Sequence, residues 1–264
     1  FIIAEAGINH NGNIKTALKL VDTAKKNGAS AVKFQTYITE KRVKKKYKKI
    51  FDILKKCELK YDEFKIVSDY CAHKKIDFFS TPFDKESVNF LHSLNVKLFK
   101  IASFDIGNYD LINEVLKTKK PTIISTGMAS LKEIDKVHKI YKNKKVDIAL
   151  LHCVSSYPNT DEGSYLSNIS FLKNRFKCEI GISDHTDDIK IPIYGSLLGA
   201  NIIEKHIKID FNHKCVDAPV SITGKQLGTL KFEIEKIKKI LNVPSFGIRK
   251  EEKGSQIFKR NKIL

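Results

Sequence analysis

The sequence alternates short apolar runs, each bounded by polar residues, with longer segments in which apolar residues recur at helical spacing. Eight such strand-then-helix units follow one another without adjacent hairpins, which favours a (β/α)8 barrel over an open doubly wound sheet. The length of 264 residues suits one barrel. We therefore predict an α/β fold, a (β/α)8 TIM barrel over residues 1–245. The predicted strands are Phe1–Ala6, Ala29–Gln35, Ile76–Ser80, Val96–Ala102, Pro121–Ser125, Val146–Cys153, Glu179–Ser183 and Ala200–Glu204.

Two histidines follow the last two predicted strands. His185 lies in the motif GISDHT, and His206 ends NIIEKH. Parallel strands joined by a crossover helix end at the same edge, so both imidazoles are expected on one rim. Neutral imidazole is a common ligand for divalent metals, and a pair with open positions left suits a Lewis-acid site. The alternative interpretation is that each histidine is a hydrogen-bonded strand-end residue.

Two lysines lie in predicted buried strands whose ends carry several serine and threonine hydroxyls. Lys33 and Lys100 would be costly to bury without a partner, so they imply an anionic group in the same cavity. Two lysines with several hydroxyls predict a pocket for a phosphate and a carboxylate. The alternative is that each lysine forms an ion pair with Glu5, Asp105 or Glu204.

The chain carries a formal charge of +18, from 48 Lys+Arg against 30 Asp+Glu. Such a charge could indicate RNA binding, but the lysines are dispersed, arginine is scarce and no recognition motif is present. RNA binding is therefore the least favoured function, and no nucleic-acid partner is expected.

The basic stretch Tyr37–Lys60 is too long for an ordinary βα loop, and long loops often act as lids. Its run KRVKKKYKK is interpreted as a solvated charge run rather than a substrate-facing one.

The five cysteines are odd in number and lack a CxxC pair, which indicates a reducing cytoplasm rather than a disulfide framework or zinc ribbon. No apolar segment reaches the ~18 residues that a membrane span needs. The sequence starts inside the first predicted strand, and we expect no signal peptide. We expect a cytoplasmic protein without a membrane partner.

Eight motifs carry a resemblance that covers nearly the whole chain. In order they are IAEAGINHNG, VKFQT, FSTPFD, FKIASFD, IISTGMAS, LLHCVSSYP, GISDHT and IIEKH. This series resembles the N-acetylneuraminate (sialic acid) synthase family, which includes legionaminate and pseudaminate synthases. The resemblance implies a barrel enzyme that condenses phosphoenolpyruvate with an open-chain N-acylated mannosamine-type sugar and releases phosphate. It also implies a divalent metal, with Mn2+ first and Mg2+ or Co2+ as alternatives.

The resemblance assigns expected roles to residues at matching positions. The metal ligands fall on His185 and His206. Glu5, Lys33 and Lys100 are the expected catalytic residues, with Glu5 near the reacting water and the lysines neutralising the charge of substrate and product. The other expected contacts to phosphoenolpyruvate and the sugar are Gln35, Thr81, Ser103, Ser125, Ser155, Tyr157, Ser183 and Asp217.

Three features depart from the family pattern. ASFD stands where sialic acid synthases commonly carry GSGE, as in relatives that make legionaminate or pseudaminate, which disfavours N-acetylmannosamine itself as substrate. Cys215-Val216-Asp217 stands in place of the usual Gly-Pro-Asp near the sugar. The family normally continues into a small antifreeze-like domain in a swapped homodimer, whereas this sequence stops at FKRNKIL. We expect residues 246–264 to be a linker at the start of that connection, and either the sequence is a fragment of a longer protein or the protein lacks the domain.

Three other functions are left open. A Schiff-base aldolase would use Lys33, Lys100 or Lys205 as its nucleophile. A 3-deoxy-sugar acid synthase acting on a phosphorylated aldose would need a second phosphate site rich in arginine, which the barrel motifs do not supply. A catalytically silent barrel would be favoured if the protein lacks the C-terminal domain, but the full set of polar strand ends argues against it more strongly.

Overall fold

A nearly closed barrel of eight parallel strands forms the centre of the fold. The computed structural model describes residues 1–241 and 246–260. Every predicted strand is present, with its ends moved by a few residues, and the prediction of an α/β barrel is confirmed. The strands are β1 (Ile2–Gly7), β2 (Ala31–Thr36), β3 (Asp77–Pro82), β4 (Phe99–Ile101), β5 (Thr122–Ser125), β6 (Ile148–Cys153), β7 (Glu179–Asp184) and β8 (Ile202–Lys208).

The strands pair in the order β3-β2-β1-β8-β7-β6-β5-β4, and every pair is parallel. The two ends of this path, β3 and β4, lie against each other. All carboxyl ends therefore meet at one rim, which is where barrel enzymes place their active sites. The helices are α1 (Ile14–Lys26), α2 (Thr39–Arg42), α3 (Lys48–Cys57), α4 (Tyr61–Lys74), α5 (Lys85–Ser93), α6 (Tyr109–Lys117), α7 (Leu131–Lys144), α8 (Ser167–Arg175), α9 (Lys190–Leu197) and α10 (Gly224–Ile240).

The interior-facing residues change from apolar to polar along the strands. Residues two apart on a strand face the same side, and on five strands an apolar residue of the lower layer has a polar residue above it. The lower layer is fully buried and makes a small core of its own inside the barrel. A larger apolar cluster packs between the strands and the helices. The pairs of lower and upper residues are Ile3 and Glu5, Ala31 and Lys33, Phe79 and Thr81, Ile123 and Ser125, and Ile202 and Glu204.

The strand register brings the polar residues of the upper layer side by side. Glu5 of β1 is the register partner of Lys33 on β2 and of His206 on β8. Ser183 of β7 is likewise the partner of Glu204 on β8. Side chains that are far apart in sequence therefore share one small volume at the rim.

The expectation of one long loop over Tyr37–Lys60 is wrong, because α2 and α3 lie within it. Leu54 and Cys57 of α3 are buried in a small apolar cluster with Ile8 and Tyr37. The segment is thus an amphipathic helical layer packed on the rim. Most of the lysines in its basic run are solvent-exposed, as predicted.

The segment 246–260 carries an exposed 3₁₀ helix, Lys250–Phe258. The assignment of 246–264 as a linker stays a prediction, and its last four residues lie outside the described residues. Among the described helices, none combines the length and the apolar character needed to cross a membrane.

Gly181 offers a test of packing between strands. A Cβ at this position would collide with the carbonyl oxygen of Ile202 and would lie 2.6 Å from Leu151 Cδ2. We expect Gly181→Ala to lower the free energy of unfolding by about 1–3 kcal/mol, because neither neighbour can move without disturbing the barrel. Guanidinium denaturation measures this change.

The matched control is Gly254→Ala, where an added Cβ meets nothing within 4 Å. Its unfolding free energy should stay within roughly 0.5 kcal/mol of wild type. Equal denaturation midpoints for the two variants would contradict the packing argument.

Candidate active site

Four buried charged side chains form the centre of the rim. Lys33 Nζ lies 2.9 Å from Glu5 Oε2 and 3.7 Å from Glu204 Oε2. Lys100 Nζ lies 3.6 Å from Glu204 Oε1. The ion-pair interpretation of the lysines is therefore confirmed, with Glu5 and Glu204 as partners. Both lysines also line the pocket at the rim, so they remain accessible to a ligand.

Burial and pairing shift the pKa values of these groups in different directions. Burial opposes ionisation of Glu204, but Lys100 and Lys33 outweigh it and lower the Glu204 pKa to about 2. Burial raises the pKa of Glu5 above its ordinary value, against the opposing effect of Lys33. Burial lowers the pKa of Lys100, whereas for Lys33 the two carboxylates outweigh burial and raise the pKa. Glu204 is thus a fixed anion, and Glu5 is the carboxyl better suited to exchange a proton.

Hydroxyl groups surround the two lysines. Lys33 Nζ donates a hydrogen bond to Thr81 Oγ1 at 3.0 Å, and Lys100 Nζ donates to Ser125 Oγ at 2.5 Å. Ser183 Oγ donates to Glu204 Oε1 at 2.8 Å. The lysines are therefore held in place by neutral groups that can also bind an anionic ligand.

Two further serines meet at the backbone of Gly127. The Gly127 N–H donates to Ser103 Oγ at 3.0 Å, and a Cβ on Gly127 would collide with the hydroxyls of both Ser103 and Ser155. Ser155 Oγ is buried and has no hydrogen-bond partner within the part of the chain that the structure describes. A buried hydroxyl without a partner beside a residue without a side chain is available to a bound ligand.

The two histidines lie next to each other, with ring centroids 5.4 Å apart. His185 Nδ1 is 2.8 Å from the Val154 carbonyl oxygen, and His206 Nδ1 is 3.3 Å from Asp217 Oδ2. The acceptor at His185 Nδ1 favours the tautomer whose Nε2 lone pair is free, as in metal-binding histidines, whereas His206 Nδ1 makes no hydrogen bond within the described residues. Burial opposes the charged form of His206, but Asp217 outweighs it and raises the His206 pKa.

This donor set fits a divalent metal that keeps open positions. In residues 1–241 and 246–260, no group of three or more His, Cys, Asp or Glu side chains is arranged to hold a metal ion. The protein therefore offers two imidazoles, and the other ligands of any ion bound there would be water or substrate atoms.

An outer group of polar side chains surrounds the mouth of the pocket. Gln35 Nε2 donates to Glu5 Oε1 at 3.4 Å, and the Tyr157 ring stacks on His185 with centroids 4.0 Å apart. Asp217 lies beside His206, and Ser155 lies behind Gly127. Apart from Ser155 and Asp217, every residue predicted for the site lines one pocket; these residues are Glu5, Lys33, Gln35, Thr81, Lys100, Ser103, Ser125, Tyr157, Ser183, His185 and His206.

The structure also brings residues into the site that sequence reasoning did not assign to it. Arg42, Cys153 and Glu204 line the pocket, although Arg42 was placed in a solvated run and Glu204 was considered only as an ion-pair partner. A signal for Arg42 was available, because it is a rare arginine in a chain that otherwise uses lysine. Lys205 does not line the pocket, since its Nζ is buried at 2.6 Å from Asp184 Oδ2, which argues against a nucleophilic role.

The sequence of this barrel matches a known protein family. A sequence profile of the NeuB family matches residues 20–245. The chain belongs to the NeuB family. The resemblance seen in the sequence motifs is thereby confirmed.

Several named relatives of this NeuB-family chain are legionaminic acid, pseudaminic acid or N-acetylneuraminate-9-phosphate synthases. It is 38% identical over 271 residues to N,N'-diacetyllegionaminic acid synthase of Campylobacter jejuni, covering 97% of this chain and 80% of the relative. It is 34% identical over 255 residues to N-acetylneuraminate-9-phosphate synthase of Drosophila melanogaster, covering 90% and 68%. Its fold matches the N-acetylneuraminic acid (sialic acid) synthetase of Leptospira borgpetersenii, crystallised with citrate, with a TM-score of 0.93 and 38% identity over 98% of this chain and 90% of that one.

The depressed pKa of Glu204 predicts a pH-dependent contribution to stability. The ionised carboxylate stabilises the folded state fully above its ordinary pKa of 4.5, and this contribution is lost as the pH falls towards about 2. We expect Glu204→Gln to cost about 3 kcal/mol of unfolding free energy at pH 7, because it leaves the two buried lysines with one carboxylate. The cost should shrink steadily between pH 4.5 and pH 2.

Denaturant titrations of both proteins across this pH range measure the effect. Glu251→Gln removes an exposed carboxylate and serves as the control, with an expected change near zero throughout. A cost for Glu204→Gln that does not vary with pH would contradict the assignment of Glu204 as a buried anion.

Proposed function

We propose that this chain condenses phosphoenolpyruvate with an open-chain N-acylated mannosamine-type sugar, forming a nonulosonic acid and releasing phosphate. The observation that carries the proposal is the meeting of two buried lysines, several hydroxyls and two imidazoles at the rim of a NeuB-family barrel. Substrates of this kind need a pocket for a phosphate and a carboxylate next to a group that activates an aldehyde. The lysines and hydroxyls suit the phosphate and the carboxylate, and the imidazoles suit a metal that activates the aldehyde.

Lys33 and Lys100 are the proposed ligands of phosphoenolpyruvate, together with the hydroxyls of Ser103, Ser125 and Ser155. Both lysines are buried, and a low-dielectric site strengthens their attraction to an anion. Thr81 and Ser183, which hydrogen-bond Lys33 and Glu204, complete this part of the site.

His185 and His206 are the proposed ligands of a divalent ion, with Mn2+ as the first candidate. When bound, such an ion supplies Lewis-acid activation of the sugar aldehyde. The Val154 carbonyl oxygen accepts from His185 Nδ1, which supports a free Nε2 on that ring, and Asp217 lies 3.3 Å from His206 Nδ1. The support for this role is the chemistry of the donor set.

The reaction balances with water as the third reactant. C3 of phosphoenolpyruvate forms a bond to the aldehyde carbon, whose oxygen takes up a proton. Water adds to the cationic C2, and the C2–O bond to phosphate breaks, which leaves a 2-keto acid in equilibrium with its ring form. Glu5 is the proposed acceptor of the proton from this water, because its raised pKa suits proton transfer. Gln35 and Lys33 hold the Glu5 carboxyl from either side.

The proposed sugar is a 2,4-diacetamido-2,4,6-trideoxyhexose rather than N-acetylmannosamine. The ASFD motif supports this choice, as does the name of the Campylobacter relative. Tyr157, which stacks on His185, and Asp217, which lies beside His206, are proposed to contact the sugar with Gln35.

We also propose a homodimer and a cytoplasmic location, in keeping with a biosynthetic enzyme whose substrates are charged metabolites.

Phosphate release tests the function directly. With phosphoenolpyruvate, Mn2+ and each of the two sugars in parallel, we expect release that requires both sugar and metal and that is faster with the diacetamido sugar. A chelator should abolish it. Release without sugar, or none with either sugar from a folded protein, would overturn the proposal.

Histidine variants test the proposed metal site. We expect His185→Gln and His206→Gln to lower Mn2+ affinity and phosphate release by at least roughly 100-fold, because each removes one of two protein ligands. His92→Gln, which changes an exposed histidine on α5, is the control and should behave as wild type. Calorimetric titration with Mn2+ measures binding separately from turnover. Unchanged Mn2+ affinity in both site variants would place the metal elsewhere.

A further inference from the structure

Arg42, the last residue of α2, points into the active-site pocket rather than into solvent. Its guanidinium carbon lies 3.6 Å from the centroid of the Phe83 ring and 4.6 Å from that of Tyr37. Arg42 Nη1 donates to Gln35 Oε1 at 3.0 Å. Two aromatic faces and one amide therefore fix the position of the cation.

Most of the hydrogen-bonding capacity of Arg42 is unused by the protein. A guanidinium has five N–H donors, and within residues 1–241 and 246–260 the bond to Gln35 is the one that Arg42 makes. No carboxylate of the described chain lies within ion-pair distance of it. A half-buried arginine that is held in place by rings keeps a planar fork of donors ready for a ligand.

The surroundings of Arg42 differ from those of the two catalytic lysines. The charges of Asp105 and Asp217 act on Arg42, and Tyr157 lines the same pocket. The lysines contact carboxylates and hydroxyls, whereas Arg42 contacts two rings and one amide and makes no ion pair in the described chain. A neutral ligand rich in hydroxyl and amide groups matches this mixture of donors and acceptors.

We infer that Arg42 binds the sugar substrate, donating hydrogen bonds to its hydroxyl or acyl-carbonyl oxygens, and so helps to set sugar specificity. The inference rests on the proposed function and deepens it. Lys33 and Lys100 hold phosphoenolpyruvate, and Arg42, which lines the same pocket, holds the second substrate. The bond from Arg42 to Gln35 also turns the Gln35 amide nitrogen towards Glu5.

Steady-state kinetics with each substrate varied separately test this role. We expect Arg42→Met to raise the KM for the diacetamido sugar by roughly 10- to 100-fold, because a charged hydrogen bond is lost. The KM for phosphoenolpyruvate should stay within about twofold of wild type, since its ligands are untouched. Arg42→Lys keeps the charge but loses the planar fork, and we expect an intermediate rise in the sugar KM.

Lys44→Met is the matched control. It removes one positive charge from the same segment at an exposed position, and both KM values should match those of wild type. Thermal unfolding of all variants shows whether each is folded. A rise in the KM for phosphoenolpyruvate in place of the sugar, an effect on kcat alone, or no change in either KM would each overturn the inference.

Direct binding separates this inference from the proposed function. Failure of wild-type protein to release phosphate with either sugar would count against the proposed reaction. Calorimetric titration of the diacetamido sugar into wild type and Arg42→Met then decides the role of Arg42 alone. Weaker binding by the variant supports it, whereas equal dissociation constants, or no binding by wild type, overturn it.

Discussion

Two buried lysines facing two buried carboxylates are the interaction on which the site depends. Isolated charges inside a barrel would cost several kcal/mol each, so the four groups can exist there only as a neutral cluster. Glu204 links the two lysines, and Glu5 pairs with Lys33 at 2.9 Å. The two carboxylates stabilise the charged form of both lysines, so the lysines are already cationic before any anion binds. Its shape is set by the register of β1, β2 and β8.

Inside the barrel, apolar residues that stabilise the fold lie below the polar residues of the candidate site. The interior layer below the cluster is apolar, and the much larger core lies between the strands and the helices. The upper layer can therefore carry buried polar groups without removing the main source of folding free energy, which is burial of apolar surface. Ser155, with its buried hydroxyl left without a partner in the described chain, illustrates the cost of such a polar layer.

The connection after β2 shows how a basic surface segment contributes to a pocket. Its α3 helix buries Leu54 and Cys57 and exposes lysines, so it lies flat on the rim. This packing holds the preceding turn of helix, and Arg42 is directed inward by the rings of Tyr37 and Phe83. In this basic run the lysines are exposed to solvent, whereas Arg42 lines the pocket. The difference depends on which side of the helix each residue occupies.

The sequence by itself determined the barrel, because eight apolar runs separated by helical segments leave few other packings. It also determined that His185, His206, Lys33 and Lys100 share a rim, since parallel strands end together. Only the tertiary structure decided which carboxylates pair with the lysines, because register and side-chain reach depend on barrel closure. The same holds for the inward position of Arg42, which depends on aromatic contacts between separate elements. Local patterns report which face of an element is apolar, whereas contacts between elements depend on how those faces are finally packed.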